Sequence, residues 1–557
     1  MSAQVAVGRL AETWQSMRKV LAEPQLRRAE LAFLLSCAAD SAFTVILSVV
    51  AFLDGGAAAV GLVGVIRMLP SAVGTPFFTA LADRHRRERV LVAGSVVRGV
   101  AIVYAAAILE AGGPVPAVYA LAVPATIAST VFRPAHSALL PSLCRTASQL
   151  TSANVVRGLL ESLATLSGPA LVGVLLSASD ATMAFAATAG LSLGAAVALL
   201  GLRYEAPPRP AISRRPMLAR DTAAGVRAVG RNHDLRLLFG LGFAQTFVRG
   251  ALNVFVVVVA LELLHTGESG AAALFAAVGA GGLLGSFGVA LLVGSRRLGW
   301  WLAMALVLWG APIAAVAAVP TVPVVLALLA VVGLGNAIID VPLFTLPVRL
   351  AADAVLARAF GVLESLVALG VALGSAVTPV LITLVGLRGA LVATGLLLPV
   401  LAAVFLPRLR SLDGRLQVRD AEIQLLRTTP MFALLPVPTI EHLASSLRRR
   451  RLPAGAVVFR QGDAGDTFYF VDEGEAEVIG DGRVVATVAH GDSFGEIALL
   501  HDVPRTATVR ARTDLSVLEI ERHEFLDAVS GYRSSSDAAS AIVARHLANF
   551  SPGTVRL

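Results

Sequence analysis

The chain has 557 residues, of which 56% are hydrophobic and only 15% are charged, and its formal net charge at pH 7 is +8. Soluble domains carry roughly 25% charged residues, so the composition excludes a single soluble globular protein. It also excludes a disordered or collagen-like chain, because neither tolerates this aliphatic content. The average hides two unlike parts. Residues 1–407 carry 28 basic and 18 acidic side chains, whereas residues 408–557 carry 18 and 20, which is typical of a soluble domain.

Twelve apolar runs are long enough to cross a bilayer, which takes about 20 residues each. They lie at residues 31–53, 57–81, 90–110, 115–135, 154–177, 183–202, 236–262, 269–294, 300–319, 322–345, 359–384 and 389–407. Arginines collect in the loops after the even-numbered runs, whereas the loops after the odd-numbered runs are mostly acidic. By the positive-inside rule, both termini and the basic loops lie in the cytosol. The sequence therefore predicts an α-helical polytopic membrane protein with 12 spans.

The two groups of six runs resemble each other. The tetrapeptide Leu-Glu-Ser-Leu at 160–163 recurs at 363–366, and the Arg pair at 86–87 recurs at 296–297. Two six-helix halves of equal orientation are typical of secondary transporters, whose substrate site lies near the midplane between the halves. We therefore divide the chain into a cytosolic segment (1–30), a first half (31–202), a basic loop (203–235), a second half (236–407), a linker helix (408–428) and a soluble domain (429–557).

The loop after the second run carries a recognisable motif. Residues 76–91 read PFFTALADRHRRERVL, which resembles the loop motif Gly-x-x-x-Asp-Arg-x-Gly-Arg-Arg of the major facilitator superfamily, with Asp83, Arg84 and Arg87 at matching positions. Motifs between residues 133 and 173, namely Arg-Pro-Ala, Leu-Pro, Asn and Gly-Pro-Ala-Leu-Val-Gly, are similar to the exporter branch of macrolide-efflux and siderophore-export proteins. The resemblance implies the major facilitator fold and the export of a small organic compound.

Several charged residues lie inside predicted spans, where charges are costly and indicate function by default, and one of them is Arg98 in the third run. Asp40 lies in the first run, Arg67 in the second, and Arg249 in the seventh at nearly the depth of Asp40. An Asp and an Arg at this depth could pair across the halves or bind a charged substrate. Asp40 could also carry a coupling proton. The alternative is a structural ion pair that only fixes helix packing.

Two acidic residues, Glu161 and Glu364, lie about two turns from the cytosolic ends of the fifth and eleventh runs. The family resemblance implies that the loop after the second helix abuts the eleventh, and that the loop after the eighth abuts the fifth. We therefore expect ion pairs that close the cytosolic mouth in the outward-facing state. The expected gate pairs are Glu364 with Arg84 and Arg87, and Glu161 with Arg296 and Arg297. Asp83 is a further gate candidate.

The last part of the chain has the pattern of a small β domain. From residue 456 the hydrophobic period becomes two, and glycines separate short runs at 457–459, 467–471, 476–479, 484–488, 507–511 and 515–520. Short strands at this spacing predict a jelly-roll barrel. Helices are predicted at 432–447, 523–530 and 538–549.

One segment of this domain carries binding chemistry. A glycine before a helix start exposes backbone N–H groups that favour a phosphate, Arg505 supplies a charge-assisted fork, and Glu496 suits a hydroxyl donor such as ribose. The segment closely resembles the phosphate-binding cassette of cyclic-nucleotide-binding domains. The resemblance implies Glu496 on the ribose 2′-hydroxyl and Arg505 on the cyclic phosphate. The implied set is Phe494, Gly495, Glu496, Ile497, Ala498, Arg505, Thr506 and Ala507.

These observations predict a secondary active transporter, an exporter of a small organic compound, regulated by a cytosolic cyclic nucleotide. We expect cAMP, partly because it is the commoner bacterial messenger. cGMP stays the alternative, because Thr506 occurs in the family with either specificity. Two other functions stay open, namely a membrane-anchored cyclic-nucleotide sensor without transport and a lipid flippase on the same scaffold.

The remaining expectations concern the cellular location, the energy coupling, the cofactors and the partners of the chain. We expect a multi-pass protein of the bacterial cytoplasmic membrane that is proton-coupled and contacts lipid, a small-molecule substrate and cyclic nucleotide. Lys19 is the only lysine and lacks the Gly-rich context of a P-loop, which argues against an ATP-driven pump. No enzyme activity, no metal or redox cofactor and no nucleic-acid partner are expected.

Overall fold

The structure is a computed structural model. It describes residues 22–82, 86–144, 147–202, 229–289, 297–350, 353–433 and 446–530, together with positions 227, 435, 440, 443 and 444. The chain divides into two compact units, Met1–Arg410 and Ser411–Leu557.

The described residues of the first unit are almost entirely helical. A helix bonds its own backbone N–H and C=O groups, so apolar segments of this length can cross lipid only in this form. The helices are α1 (Pro24–Ala82), α2 (Arg87–Glu110), α3 (Val115–Leu143), α4 (Ala147–Ala178), α5 (Ala181–Leu199), α6 (His233–Val258) with a π-helical turn at Val259–Leu263, α7 (Gly267–Val289), α8 (Leu298–Val316), α9 (Val322–Leu350) and α10 (Asp353–Thr428).

Two of these helices are interrupted by glycines. In α1 the backbone leaves helical geometry at Gly55 and Gly56, where Gly56 has φ +62°, and in α10 it does so at Gly386, with φ +72°. Glycine adopts these conformations without a steric penalty. Among the described residues, ten helical segments are long and apolar enough to cross a membrane, and two of them, Pro24–Pro70 and Gly361–Gly414, contain these breaks.

Glycines also allow helices to approach closely. A Cβ atom built on Gly281 of α7 would lie 1.7 Å from the carbonyl oxygen of Ala330 in α9, and one on Gly333 of α9 would lie 1.9 Å from that of Val278. A Cβ atom on Gly279 would lie 2.6 Å from backbone atoms of Leu166 in α4. Helix α7 therefore packs its backbone directly against α4 and α9.

The second unit contains a β barrel preceded by the end of α10. Residues 408–428 are helical and continue α10 to Thr428, as expected for the linker helix. The following elements are α11 (Pro430–Ala433), β1 (Arg448–Leu452), β2 (Val457–Phe459), β3 (Thr467–Glu473), β4 (Ala476–Gly480), β5 (Arg483–Val488), β6 (Ser493–Phe494), α12 (Glu496–Leu500), β7 (Thr508–Ala511), β8 (Leu515–Glu521) and α13 (Arg522–Ser530).

The strands form two antiparallel four-stranded sheets. Their orders are β1-β8-β3-β6 and β2-β7-β4-β5. Successive side chains of a strand point to opposite faces, and in β3 the two faces contact different parts of the unit. Phe468 and Phe470 pack against α11 and α13, including Phe432 and Phe525, whereas Tyr469 and Val471 face the barrel interior. A single strand thus joins the barrel core to the helices that cover it.

The six predicted strands are confirmed within one or two residues, as is the helix predicted at 523–530. The structure adds β1 and β6. For the helix predicted at 432–447, the continuous described stretch shows only α11, and the helix predicted at 538–549 lies outside the described residues.

Candidate functional site

The turn between β6 and α12 requires a glycine. Gly495 has φ +95° and caps α12. A Cβ atom there would lie 2.7 Å from Nη1 of Arg505 and 3.2 Å from the carbonyl oxygen of Thr467. Both the backbone conformation and the space therefore disfavour a side chain at this position. The carbonyl oxygen of Gly495 accepts a hydrogen bond from Arg505.

Arg505 is buried, with 3% of its surface exposed. Its Nη1 donates to the Gly495 carbonyl oxygen at 3.0 Å and its Nη2 to that of Thr467 at 2.6 Å. Its guanidinium carbon lies 4.2 Å from the centre of the Phe459 ring, which gives a cation–π contact. A guanidinium carries five N–H donors, so this arrangement fixes the group while leaving donors for an anion.

The electrostatic surroundings of Arg505 are mixed. Burial lowers the pKa of Arg505 from its ordinary value, and Tyr469, Asp466, Glu496 and Asp463 act in the opposite direction. Asp466 contributes a carboxylate oxygen 4.0 Å from Nη2, at the limit of an ion pair. An anion that binds Arg505 would supply the close negative charge that this buried cation lacks.

Glu496 follows Gly495 directly in the chain and is buried, with 1% of its surface exposed. Glu496 lines a cavity together with Arg505, half-exposed Thr506 and buried Ala507. Apolar residues of β4, β5 and β7 complete the lining. Its volume is about 80 Å³, whereas pockets enclosing a drug-sized ligand measure about 300–1,000 Å³. The cavity is therefore smaller than a pocket that encloses a whole drug-sized ligand.

The structure brings the eight residues predicted for this site together. All of them line the cavity. Gly465, in the loop before β3, lets α12 approach, because a Cβ atom there would lie 2.4 Å from that of Ala498. Sequence reasoning missed Phe459, whose ring lies over Arg505, and the carbonyl group of Thr467. The aromatic pattern of β2 and β3 was visible, but the sequence did not show which face of each strand meets Arg505.

The charged residues of the membrane unit are arranged differently from the expected pairing of Asp40 with Arg249. Asp40 lies 3.8 Å from Arg67 and accepts a hydrogen bond from Ser129 at 2.8 Å. The Arg67 side chain is buried and also donates to Thr126 and Thr44. Asp40 therefore belongs to a polar network inside the first helices, and its side chain keeps 34% exposure.

Arg249 instead lies near Asp340 of α9, which sequence reasoning did not single out. Its charge acts on the Asp340 carboxyl group, and so do those of Glu161 and Arg133. Arg249 and Asp340 are both exposed although each lies within a helix that can span a membrane. A charge facing lipid is costly, so these side chains are best placed towards a polar space between helices.

The predicted gate partners of Glu161 and Glu364 are only partly described. Asp83, Arg84 and Arg296 lie outside the described residues. Glu161 forms a short ion pair with Arg133 of α3, and Arg87 donates to the carbonyl oxygen of Ala138. Glu364 is exposed, and the positive charge of Arg133 acts on its carboxyl group. Arg297 is exposed at the start of α8.

Arg133 interacts electrostatically with acidic side chains of three helices. Its charge acts on Glu161, Asp340 and Glu364, which come from α4, α9 and α10. Sequence reasoning did not single it out, because it belongs to the Arg-Pro-Ala motif near the end of a span. An arginine at such a position usually reflects the orientation of the span in the membrane. No group of three or more His, Cys, Asp or Glu residues suited to a metal ion occurs among the residues that the structure describes.

Two family profiles match the chain. The one described as the Major Facilitator Superfamily matches residues 30–357, and the one described as the cyclic nucleotide-binding domain matches residues 449–532. The second match contains Gly495, Glu496 and Arg505.

Relatives of known name match about a fifth of the chain. The chain is 42% identical over 116 residues to a cAMP-dependent protein kinase regulatory subunit of Yarrowia lipolytica, covering 20% of this chain and 31% of the relative. It is 40% identical over 102 residues to the corresponding subunit of Schizosaccharomyces pombe, covering 18% and 25%. The chain thus spans about a third or less of the length of these relatives.

Solved structures match about a quarter of the chain. One is described as Sp-2Cl-cAMPS bound to PKAR CBD2, with 25% identity, coverage of 24% of this chain and 89% of that chain, and a TM-score of 0.22. Another is the regulatory domain of Toxoplasma gondii PKA with cAMP, with 31% identity, coverage of 22% and 46%, and a TM-score of 0.20.

Proposed function

The chain belongs to the Major Facilitator Superfamily and carries a cyclic nucleotide-binding domain, and from this we propose that it is a secondary active transporter regulated by a cytosolic cyclic nucleotide. The observation that carries the regulatory part is the buried, backbone-held guanidinium of Arg505 beside Glu496. A cyclic phosphate would accept hydrogen bonds from Arg505, and the ribose hydroxyl would donate to Glu496.

We propose cAMP as the ligand. The curated relatives are named for cAMP dependence. The cavity that holds Arg505 is also lined by Val478, Val485 and Val488. These side chains would make apolar contacts with the nucleotide. Thr506 is half-exposed at the pocket and offers one hydroxyl group, which either purine nucleotide could use.

We further propose twelve spans in two parallel halves, with both termini in the cytosol of a bacterium. The breaks at Gly55–Gly56 and Gly386 support this count, because each divides a helix longer than a bilayer needs. The arginines after the even-numbered spans support the orientation. In this proposed orientation, the linker at 408–428 and the nucleotide domain lie on the cytosolic side.

The transport path is proposed to run past the charged side chains that centre on Arg133. They come from α3, α4, α6, α9 and α10, namely Arg133, Glu161, Arg249, Asp340 and Glu364. With two positive and three negative groups, this set suits a substrate that exchanges with protons. The direction of transport is proposed to be export, from the resemblance to macrolide-efflux and siderophore-export proteins.

Reconstitution tests the proposed function. Purified protein in proteoliposomes is given a proton gradient and a panel of labelled macrolides and siderophores, with and without cAMP inside the compartment that the second unit faces. We expect flux of at least one compound, and a change in its rate with cAMP that is absent in the Arg505→Ala variant. No flux of any compound, with intact cAMP binding, would support a sensor instead.

A further inference from the structure

Arg249 of α6 and Asp340 of α9 carry opposite charges but do not form an ion pair with each other. Both side chains are exposed although each lies within a helix that can span a membrane. Among the residues that the structure describes, neither side chain makes a hydrogen bond or has an oppositely charged group within 4 Å. A charge inside a span is costly and is normally paired. Within that part of the chain, each group therefore lacks the close partner that its position calls for.

The face of α6 that carries Arg249 is turned towards α9 and α10. Gly242 lies two turns before Arg249, and residues two turns apart share a helix face. A Cβ atom on Gly242 would lie 3.2 Å from Cδ1 of Leu343 in α9 and 3.8 Å from Cδ1 of Leu363 in α10. The exposed guanidinium of Arg249 therefore points to a space beside these helices and not to lipid.

Asp340 borders the same space from α9. It precedes Leu343 by three residues, and residues three apart are neighbours on a helix surface. In the proposed topology α6 and α9 are antiparallel, so Arg249 and Asp340 lie on the same side of the contact between Gly242 and Leu343. A helix rises about 1.5 Å per residue, which puts them about 10 Å and about 5 Å along their helices from this contact. The charge of Arg249 acts on the Asp340 carboxyl group across the gap.

The neighbouring side chains do not replace the missing partners. Arg133 forms an ion pair with Glu161, and the two charges have opposite effects on Asp340. Gln245 and Asn253 lie one turn to either side of Arg249 on α6 and carry no charge, although their amide groups can donate and accept hydrogen bonds. The space therefore suits an anionic group at Arg249 and a cationic group at Asp340.

We propose that this space binds the transported compound, and that the compound is a zwitterion whose anionic group pairs with Arg249 and whose cationic group pairs with Asp340. A carboxylate fits the planar fork of a guanidinium, and a protonated amine donates to a carboxylate. A singly charged compound would leave one of the two protein charges without a close partner. Amino acids and their derivatives carry both groups. Only the word transported rests on the proposed function, because binding of a zwitterion does not require transport.

Binding of matched compounds to the purified full-length protein tests this site. The probes are tritiated tryptophan, tryptamine and indolepropionate, which share an indole ring and carry both charges, the cation alone and the anion alone. Phenylalanine, phenethylamine and phenylpropionate form a second set. Scintillation proximity measures the dissociation constants. We expect the zwitterion of at least one set to bind about tenfold or more tightly than either of its analogues, since partly buried ion pairs contribute more than exposed ones.

Variants assign each charge to its residue. In Arg249→Gln the zwitterion should bind no more tightly than the amine, and in Asp340→Asn no more tightly than the acid. Arg249→Lys and Asp340→Glu keep the charges and should restore part of the preference, which a general folding defect would not allow. The matched controls are Arg236→Gln, exposed on α6, and Asp180→Asn, at the N-cap of α5. Both should bind the probes like the wild type.

The proposal is wrong if no zwitterion of either set binds more tightly than its two analogues, or if the preference survives in Arg249→Gln and Asp340→Asn. These outcomes are separate from transport. If the preference depends on both residues but proteoliposomes do not move the compound, the binding site stands and the proposed function fails. If proteoliposomes move a compound equally well with the wild type and with both neutral variants, the proposed function stands and the zwitterion site fails.

Discussion

At the scale of single residues, the nucleotide domain holds the buried guanidinium of Arg505 in an orientation that suits a bound anion. Arg505 is buried, its orientation is set by the carbonyl groups of Gly495 and Thr467, and a carboxylate oxygen of Asp466 lies 4.0 Å away. Placing a guanidinium there costs desolvation energy. A phosphate that meets the remaining N–H groups would offset this cost, which is why the free energy of ligand binding should depend strongly on this residue.

Replacing Arg505 by Ala should therefore weaken cAMP binding by about 2–5 kcal/mol, the usual cost of removing one member of a buried hydrogen-bonded charge pair. This corresponds to at least a roughly 30-fold higher dissociation constant. Calorimetry on the full-length protein measures it. Arg510→Ala is the control, since Arg510 is exposed on β7 and pairs with Glu477. Equal affinity in Arg505→Ala and wild type would contradict the assignment of the site.

Gly495 permits a separate test of the pocket geometry. Gly495→Ala should cost about 1–3 kcal/mol in strain, because φ is +95°. It should also push on Arg505, whose Nη1 would lie 2.7 Å from the new Cβ atom. Gly482→Ala, with φ +79° and no atom within 4 Å, carries the strain without the contact. We expect both variants to unfold at lower temperature, and only Gly495→Ala to bind cAMP more weakly. Similar affinities in the two variants would show that the contact does not matter.

At the scale of elements, the barrel was largely predictable because its strands alternate and its turns carry glycines. Strand β1 was missed since its sequence, Arg448 to Leu452, begins with four arginines, all exposed. It forms through pairing with β8, where Arg450 meets Glu519 at 3.3 Å. Cross-strand ion pairs of this kind join residues far apart in the chain, and a local pattern cannot show them.

The pairing of charges in the membrane unit was less predictable than the helices themselves. The sequence placed Asp40 and Arg249 at similar depths, which suggested a contact. In the structure Asp40 pairs with Arg67 on the other side of the Gly55–Gly56 break in α1. Depth in the bilayer follows from counting residues along a span, but the direction in which a side chain points depends on helix rotation. That rotation is set by packing with neighbouring helices.

The glycine contacts of α7 and α9 make a prediction about helix packing. Gly333→Ala should lower the thermal stability of the detergent-solubilised protein, because its Cβ atom would lie 1.9 Å from the Val278 carbonyl oxygen. The two helix backbones would have to separate, with a cost of about 1–3 kcal/mol for overpacking. Gly190→Ala in α5 is the control, since a Cβ atom there meets nothing within 4 Å. Equal melting temperatures for the two variants would argue against the close α7–α9 contact.

At the scale of the whole molecule, regulation needs no particular path between the two units. If cAMP changes the transport cycle, it must bind the conformers of the membrane unit with different affinity. The coupling is then reciprocal, so holding the membrane unit in one conformer changes the affinity for cAMP. This consequence can be measured even before the transported compound is known, because it requires only the nucleotide and a way to hold the helices.

A disulfide between α4 and α7 supplies such a constraint. A Cβ atom on Gly173 would lie 3.2 Å from that of Ala272, close to the 3.5–4.5 Å that a disulfide requires. In a background with Cys37→Ala and Cys144→Ala, the Gly173→Cys/Ala272→Cys protein should form the bond on oxidation and hold α4 against α7. We expect its dissociation constant for cAMP, measured by calorimetry, to differ between oxidised and reduced forms by about 5-fold or more, the lower range of allosteric coupling. The single variant Gly173→Cys should show no such difference, which separates the effect of the cross-link from that of the reductant. Equal cAMP affinity in the cross-linked and reduced double variant would mean that the nucleotide does not distinguish conformers of the membrane unit, because a ligand with equal affinity for two states shifts neither.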